Sequence, residues 1–93
     1  MSSTASMSER RAVFARHFLE DIEFWVRTDR KIALRLLKLV DLSLRDPFDG
    51  PGKPEPLRRE LSGLWSRRIT QEHRLVYEVT SKEVRFLQGR YHY

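Results

Sequence analysis

All four prolines of this 93-residue chain fall in one run, Pro47-Phe48-Asp49-Gly50-Pro51-Gly52-Lys53-Pro54-Glu55-Pro56. Proline fixes φ, removes an amide donor and drives the residue before it out of the α region, so no helix and no central strand passes through such a run. The chain is thereby divided into two halves that must find different local structure. Glu55 has a proline on either side and little backbone freedom, which reads as a carboxylate held in one direction. Taken alone, it is equally compatible with a solvated loop glutamate.

Before the run, the apolar period is helical. Met1 to Glu9 is a Ser-rich lead, expected to be disordered, with Met7 as an alternative start. Residues 1–10 are set apart as this lead, and 11–93 as a single domain. Ala12 to Ala15 suits a short first strand. Phe18, Leu19, Ile22, Trp25 and Val26 then recur at the spacing of one helix face. Thr28 and Asp29 interrupt the pattern with two N-cap residue types. A second helix follows, with Ala33, Leu36, Leu37, Val40 and Leu44 on its buried side, and must stop by Asp46 because Pro47 follows. The two helices form an antiparallel hairpin whose apolar faces need a partner.

After the run, the period becomes alternating. Leu57, Arg59 and Leu61 alternate with charged residues, Ser62-Gly63 supplies a turn, and Trp65, Arg67 and Ile69 share one side of the next strand. Thr70 to His73 turns again. Leu75, Tyr77 and Val79 face a core, while Arg74, Val76 and Glu78 face away. Thr80 to Lys82 leads into a last strand expected over Val84 to Tyr93. The fold class is α+β, with a helix hairpin on one face of a small, mostly antiparallel sheet whose other face is open.

The chain has no cysteine, which excludes disulfides and thiol or Cys-zinc chemistry. No apolar run approaches the ~20 residues a membrane helix needs, so no membrane partner is expected and the cytoplasm is the expected location. The net charge of +5 is unevenly spread: between Lys53 and Arg74, six basic residues face three acidic ones, beside an indole. A polyanion is the natural partner of such a surface. There is no P-loop, dinucleotide fingerprint or metal-ligand spacing, and no cofactor is expected. His17 and His73 read as structural or solvated. His92 differs, because it lies in the terminal run Arg90-Tyr91-His92-Tyr93. Metal-free cleavage of an RNA phosphodiester needs a base for the 2′-hydroxyl, a cation for the phosphoryl oxygens and an acid for the leaving 5′-oxygen. Glu55, Arg74 and His92 are the candidates in that order. Lys53, Arg58, Arg67 and Arg68, with Arg90 as a further cation, are candidates for phosphate grip, and Tyr93 for stacking on a base.

Four blocks carry a family likeness: Gly52-Lys53-Pro54-Glu55-Pro56-Leu57; Leu61-Ser62-Gly63 with Trp65-Ser66-Arg67-Arg68-Ile69-Thr70; Glu72-His73-Arg74-Leu75-Val76-Tyr77; and Arg90-Tyr91-His92-Tyr93. Together with Trp25, Thr28-Asp29 and Asp46-Pro47-Phe48, they make the chain from Arg11 to Tyr93 resemble the YoeB (Txe/YoeB) toxins of the RelE superfamily. The resemblance implies a RelE-like fold and a bacterial type II toxin. Such a toxin is a ribosome-dependent endoribonuclease that cuts mRNA in the A site of the 70S ribosome and is silenced by a YefM/Phd-type antitoxin. It also implies a possible homodimer. The family's general base matches Glu55, its transition-state arginine Arg74, its general acid His92 and the following tyrosine Tyr93, while its phosphate-positioning cations match Arg58 and Arg68. Gln88-Gly89 stands where relatives often carry small apolar residues, which is expected to loosen the last strand. The alternatives are a non-nuclease toxin of the same fold, a ParE-like gyrase binder, or a plain RNA-binding module. Neither needs the set Glu55, Arg74 and His92.

Overall fold

A computed structural model describes residues 10–58 and 63–91. Two helices lie on one face of a five-stranded sheet. Strand β1 (Arg11–Phe14) leads into helix α1 (Arg16–Thr28) and helix α2 (Arg30–Arg45), and the proline run ends in a two-residue strand, β2 (Glu55–Pro56). Strands β3 (Leu64–Arg68), β4 (Arg74–Val79) and β5 (Glu83–Gln88) follow, and the sheet order is β1-β5-β4-β3-β2. The pairings β2–β3, β3–β4 and β4–β5 are antiparallel. The N-terminal strand adds in parallel to β5, with Ala12 opposite Val84 and Phe14 opposite Phe86, so the sheet is mixed.

The helix boundaries follow from local chemistry. Asp29 is extended and caps α2, its carboxylate accepting from the Ile32 amide, and α2 ends at Arg45 with Asp46 extended ahead of Pro47. The buried stripes are displaced from the expected ones. In α1, Phe18, Asp21 and Trp25 are buried, while Leu19 and Val26 are more than half exposed. In α2, Ala33, Leu36, Leu39, Val40 and Ser43 are buried, Leu44 is half-buried, and Leu37 is exposed. Successive residues turn by about 100°, so a stripe centred on Leu36, Leu39 and Val40 carries Leu37 round to solvent. Periodicity alone could not choose between the two registers, because leucines occupy both. Each large apolar side chain fully buried in this layer stabilises the fold by about 1.5–3 kcal/mol relative to exposure.

Leu75, Tyr77, Val84 and Phe86 meet the helices from the sheet. The far side of the sheet is less open than expected. Ser66 and Val76, paired across β3 and β4, are 4% and 1% exposed, although neither belongs to the helix-side core. β4 is the third of five strands, flanked by two neighbours on each side.

The strand expected from Leu57 to Leu61 falls largely outside the described residues, which end at 58 here and begin again at 63, as does the lead up to residue 9; the described strand at this place is β2, and beyond it the Leu57 amide donates to the Leu64 carbonyl at 2.8 Å. The last strand stops at Gln88, where the chain is latched to α1. The Gly89 amide donates to the Asp21 carboxylate at 2.9 Å, and the Trp25 indole donates to the Gly89 carbonyl at 2.9 Å. Gly89 therefore fastens this strand end rather than loosening it. Among the described residues, no helix is long and apolar enough to cross a membrane.

Candidate functional site

The register of the sheet decides which side chains share its outer face. Glu55 is opposite Ser66, Ser66 is opposite Val76, and Arg68, two residues beyond Ser66, is opposite Arg74. Side chains alternate along a strand, so Glu55, Ser66, Arg68, Arg74 and Val76 all project from the face away from the helices. Strands about 4.8 Å apart and a rise of about 3.4 Å per residue put the Cα atoms of Glu55 and Arg74 about 12 Å from each other. A carboxylate and a guanidinium leaning inward across such a gap would leave room for one phosphodiester.

Two arginines directly opposed on neighbouring strands repel one another, and such pairs destabilise a sheet. Arg68 is exposed and Arg74 half-buried, and among the described residues neither is in an ion pair with an acid. Lys53 and Arg58, also exposed, flank Glu55 on the chain. Helix α2 steadies the end of β3 that carries Arg68: the Arg35 side chain donates to the Ile69 carbonyl at 2.8 Å and to the Arg68 carbonyl at 3.2 Å. The result is a concentration of positive charge with one carboxylate beside it.

The C-terminal segment approaches this face past Arg74. The Arg74 amide donates to the Tyr91 carbonyl at 2.8 Å, and the Tyr91 amide donates to Nδ1 of His73 at 2.8 Å. His73 is buried, with the Trp25 and Tyr91 ring centroids 4.7 Å and 5.1 Å from its own, as expected of a structural histidine. Its Nδ1 must be unprotonated to accept this bond. His92 and Tyr93 lie outside the described residues. Among the described residues, two that are not glycine have left-handed backbone: Lys53 at φ 50° and Tyr91 at φ 60°. One stands two residues before Glu55 and the other immediately before His92. Such conformations persist only where the surroundings over-determine them.

Two of the expected phosphate ligands are placed elsewhere. Arg67 is 0% exposed, on the core side of β3 opposite Leu75. Its guanidinium donates to the Tyr77 hydroxyl and to the carbonyls of Asp46, Asp49 and Pro51, so it has no route to a bound polyanion. Alternation puts it on the face of Trp65 and Ile69, which is where it lies. A charged side chain on that face was the sign that it points inward. Arg90 packs its guanidinium over the Phe24 ring of α1, 3.5 Å from the centroid, on the helix side of the sheet. The cation–π contact and the end of β5 at Gln88 direct it away from Arg74.

The Tyr77 phenol donates to the Pro47 carbonyl at 2.6 Å. Burial pushes its pKa above the ordinary value, even though the adjacent Arg67 guanidinium acts in the opposite sense. Asp21 and Gly89 were also missed as anchors of the C-terminal segment. The legible sign was Asp21 itself, a carboxylate within the apolar stripe of Phe18, Ile22 and Trp25. Among the described residues, no group of three His, Asp or Glu side chains converges as a metal site would.

Comparison with known proteins finds relatives over nearly the whole chain. A family model described as YoeB-like toxin of bacterial type II toxin-antitoxin system matches residues 14–93. Toxin YoeB of Mycobacterium bovis is 58% identical over 74 residues, which are 80% of this chain and 87% of that protein. Among solved structures, a YoeB/ParE toxin from Agrobacterium tumefaciens superposes with a TM-score of 0.83 at 41% identity, over 89% of this chain and 99% of that one. A YoeB dimer from Staphylococcus aureus gives 0.82 at 34% identity, over 91% and 99% of the two chains. The same organism's heterotetrameric YoeB-YefM toxin-antitoxin complex gives 0.80 at 34% identity, over 90% and 98%.

Proposed function

The chain belongs to the family of YoeB-like toxins of bacterial type II toxin-antitoxin systems, and from that premise we propose that it is a ribosome-dependent endoribonuclease cleaving mRNA without a metal. The observation that carries this reading is the opposed pair Arg68–Arg74, without an acidic partner among the described residues and with Glu55 on the same face. A sheet that holds two cations against each other is completed by an anion, and a phosphodiester seated there would have a carboxylate within reach of its 2′ side.

In the reaction, Glu55 takes the proton of the ribose 2′-hydroxyl, and the 2′-oxygen attacks phosphorus. Arg74 stabilises the negative charge building on the non-bridging oxygens. The bond to the 5′-oxygen breaks as His92 donates a proton to it, leaving a 2′,3′-cyclic phosphate and a free 5′-hydroxyl. Lys53, Arg58 and Arg68 hold neighbouring phosphates, and Tyr93 stacks on a base. The 70S ribosome presents the mRNA, in the cytoplasm. A YefM-type antitoxin is the proposed inhibitory partner and a second copy of this chain a further one, as the complex and the dimer of the Staphylococcus aureus relative suggest.

Single-turnover cleavage on programmed ribosomes tests the base. Glu55→Gln is expected to keep ribosome binding and to slow cleavage by roughly 10²–10⁴-fold. A parental rate would remove Glu55 from the chemistry. A parent protein that binds ribosomes without cutting mRNA would favour the plain RNA-binding module.

A further inference from the structure

We propose that Arg67 is a positioning residue for the reaction: it acts from inside the fold by gathering the backbone of residues 46–51 into a collar that aims Glu55. This rests on the assignment of Glu55 as the base.

The collar is made of carbonyls. Arg67 Nη1 donates to Pro51 at 2.9 Å, Nη2 donates to Asp49 at 2.9 Å and to Asp46, and Nε donates to the Tyr77 hydroxyl at 3.2 Å. The same hydroxyl passes its proton to the Pro47 carbonyl at 2.6 Å. Four of six consecutive carbonyls thus turn inward on one buried cation and its phenol. Among the described residues, its hydrogen-bond partners are backbone carbonyls of the loop and a phenol, which makes the loop the chief partner of the arginine. Only a guanidinium has enough N–H groups, in a planar fork, to serve these positions together.

The chain leaving the collar has little freedom. The Gly52 carbonyl accepts from the Arg68 amide at 2.7 Å, which ties the loop to β3. Gly52 itself, at φ 85°, is pressed so close that a Cβ would lie 3.1 Å from the Arg68 carbonyl oxygen and 3.2 Å from the Arg67 Cβ. Lys53 is then held at φ 50° immediately before Pro54, and Glu55 pairs with Ser66. β2 is only two residues long, too short to fix its own position. The placement of Glu55 is therefore inherited from Arg67, whose neighbours Ser66 and Arg68 are the ones that dock the loop.

The test uses the purified toxin and programmed ribosomes. Arg67→Lys keeps the charge and removes the fork. Cleavage is expected to fall about 10-fold or more, while ribosome affinity and its dependence on salt stay at parental values. In a Glu55→Gln background, Arg67→Lys should add no further loss, because the group it aims is already gone. Amide exchange on the free toxin supplies a readout independent of catalysis: the Arg68 amide should exchange faster, and the Leu75 and Tyr77 amides should keep their protection. Should Arg67→Lys fail to fold, Gly52→Ala disturbs the collar from outside with Arg67 intact, and the same pattern is expected. A parental cleavage rate, or a fall in salt dependence such as a phosphate ligand would give, overturns the proposal. So does a loss in Arg67→Lys/Glu55→Gln equal to the product of the single losses, or parental exchange at Arg68. If Glu55→Gln itself cleaves at the parental rate, the base assignment falls, and exchange at Arg68 still decides whether Arg67 holds the loop.

Discussion

Gly89→Ala sets two physical effects of opposite sign against each other, and the structure says which wins. Gly89 lies outside the left-handed region, so alanine carries no backbone penalty there. By restricting the unfolded chain it would stabilise the protein by about 0.4–1 kcal/mol. Against this, a Cβ on Gly89 would sit 2.5 Å from Leu36 Cδ2 and 3.2 Å from Cδ1. Carbon atoms in contact settle at about 3.5–4.0 Å, so the overlap is roughly 1 Å or more. Leu36 is 0% exposed, so its methyl groups can give way only by moving within the core. Overpacking of this kind costs about 1–3 kcal/mol, and pushing Gly89 outward also stretches its bonds to Asp21 and Trp25, each worth about 1 kcal/mol. The net expectation is a loss of about 1–3 kcal/mol, or a fall in Tm of about 5–20 °C for a domain of this size. Calorimetry or circular dichroism on the purified toxin measures it. Gly89→Ala in a Leu36→Ala background should be less harmful than in the parent, since the space has been made. An unchanged or higher Tm for the single variant would refute the reasoning.

Three further expectations concern other parts of the molecule. The Tyr77 pKa is raised by burial, so between about pH 10, its ordinary value, and its higher folded value the unfolded chain loses this proton first. Stability contributed by the neutral phenol is complete below about pH 10 and drains as pH rises through that window; urea melts should show the alkaline slope, and Tyr77→Phe should flatten it. Asp29→Ala should cost about 0.5 kcal/mol, the low end for a helix N-cap, because the carboxylate meets the Ile32 amide at a long 3.4 Å; equilibrium unfolding measures this. If His92 is the general acid, replacing the 5′-bridging oxygen of the substrate by sulfur removes the need for a proton, so His92→Gln should regain most of its lost rate on that substrate while Arg74→Ala stays slow; equal defects on both substrates would return His92 to a packing role.

The elements that were legible in the sequence are those written in one dominant signal. The prolines marked the break after α2, Asp29 marked the cap between the helices, and alternation marked β3, β4 and the start of β5. Three features were not legible, each for a definite reason. The faces of the helices were misplaced at Leu19, Val26 and Leu37, because surplus leucines and a valine widened the apparent stripe. The parallel addition of β1 to β5 joins residues more than 70 positions apart, and nothing local encodes it. Arg67 and Arg90 looked like ligands because a sequence records that a residue is cationic, not which way it points. Arg67 did carry a clue in its parity with Trp65 and Ile69, and Asp21 carried one in its place among Phe18, Ile22 and Trp25. In both cases a charged residue in an apolar register turned out to be a buried anchor.

Those anchors suggest how so small a fold can hold its reactive groups still. The proposed base stands at the margin of the sheet, on a two-residue edge strand that is not rigid by its own secondary structure, and the described chain ahead of the proposed acid has already left the last strand at Gln88. Each is preceded by a left-handed residue that would relax if released, Lys53 in one case and Tyr91 in the other. Each is also tied back to the helix side, through Arg67 and Tyr77 for the loop and through Gly89 and His73 for the tail. The proposed reactive face and the restraining face are thus opposite sides of the same strands, and side chains alternate between them. Ser66 and Arg68 lie on the face of the proposed RNA site while Arg67 between them holds the loop; Arg74 lies on it while His73 before it holds the tail. A substitution on the helix side should therefore slow cleavage without weakening RNA binding, whereas Arg68→Ala on the outer face should weaken binding and make it less sensitive to salt, as the removal of a phosphate-binding cation requires.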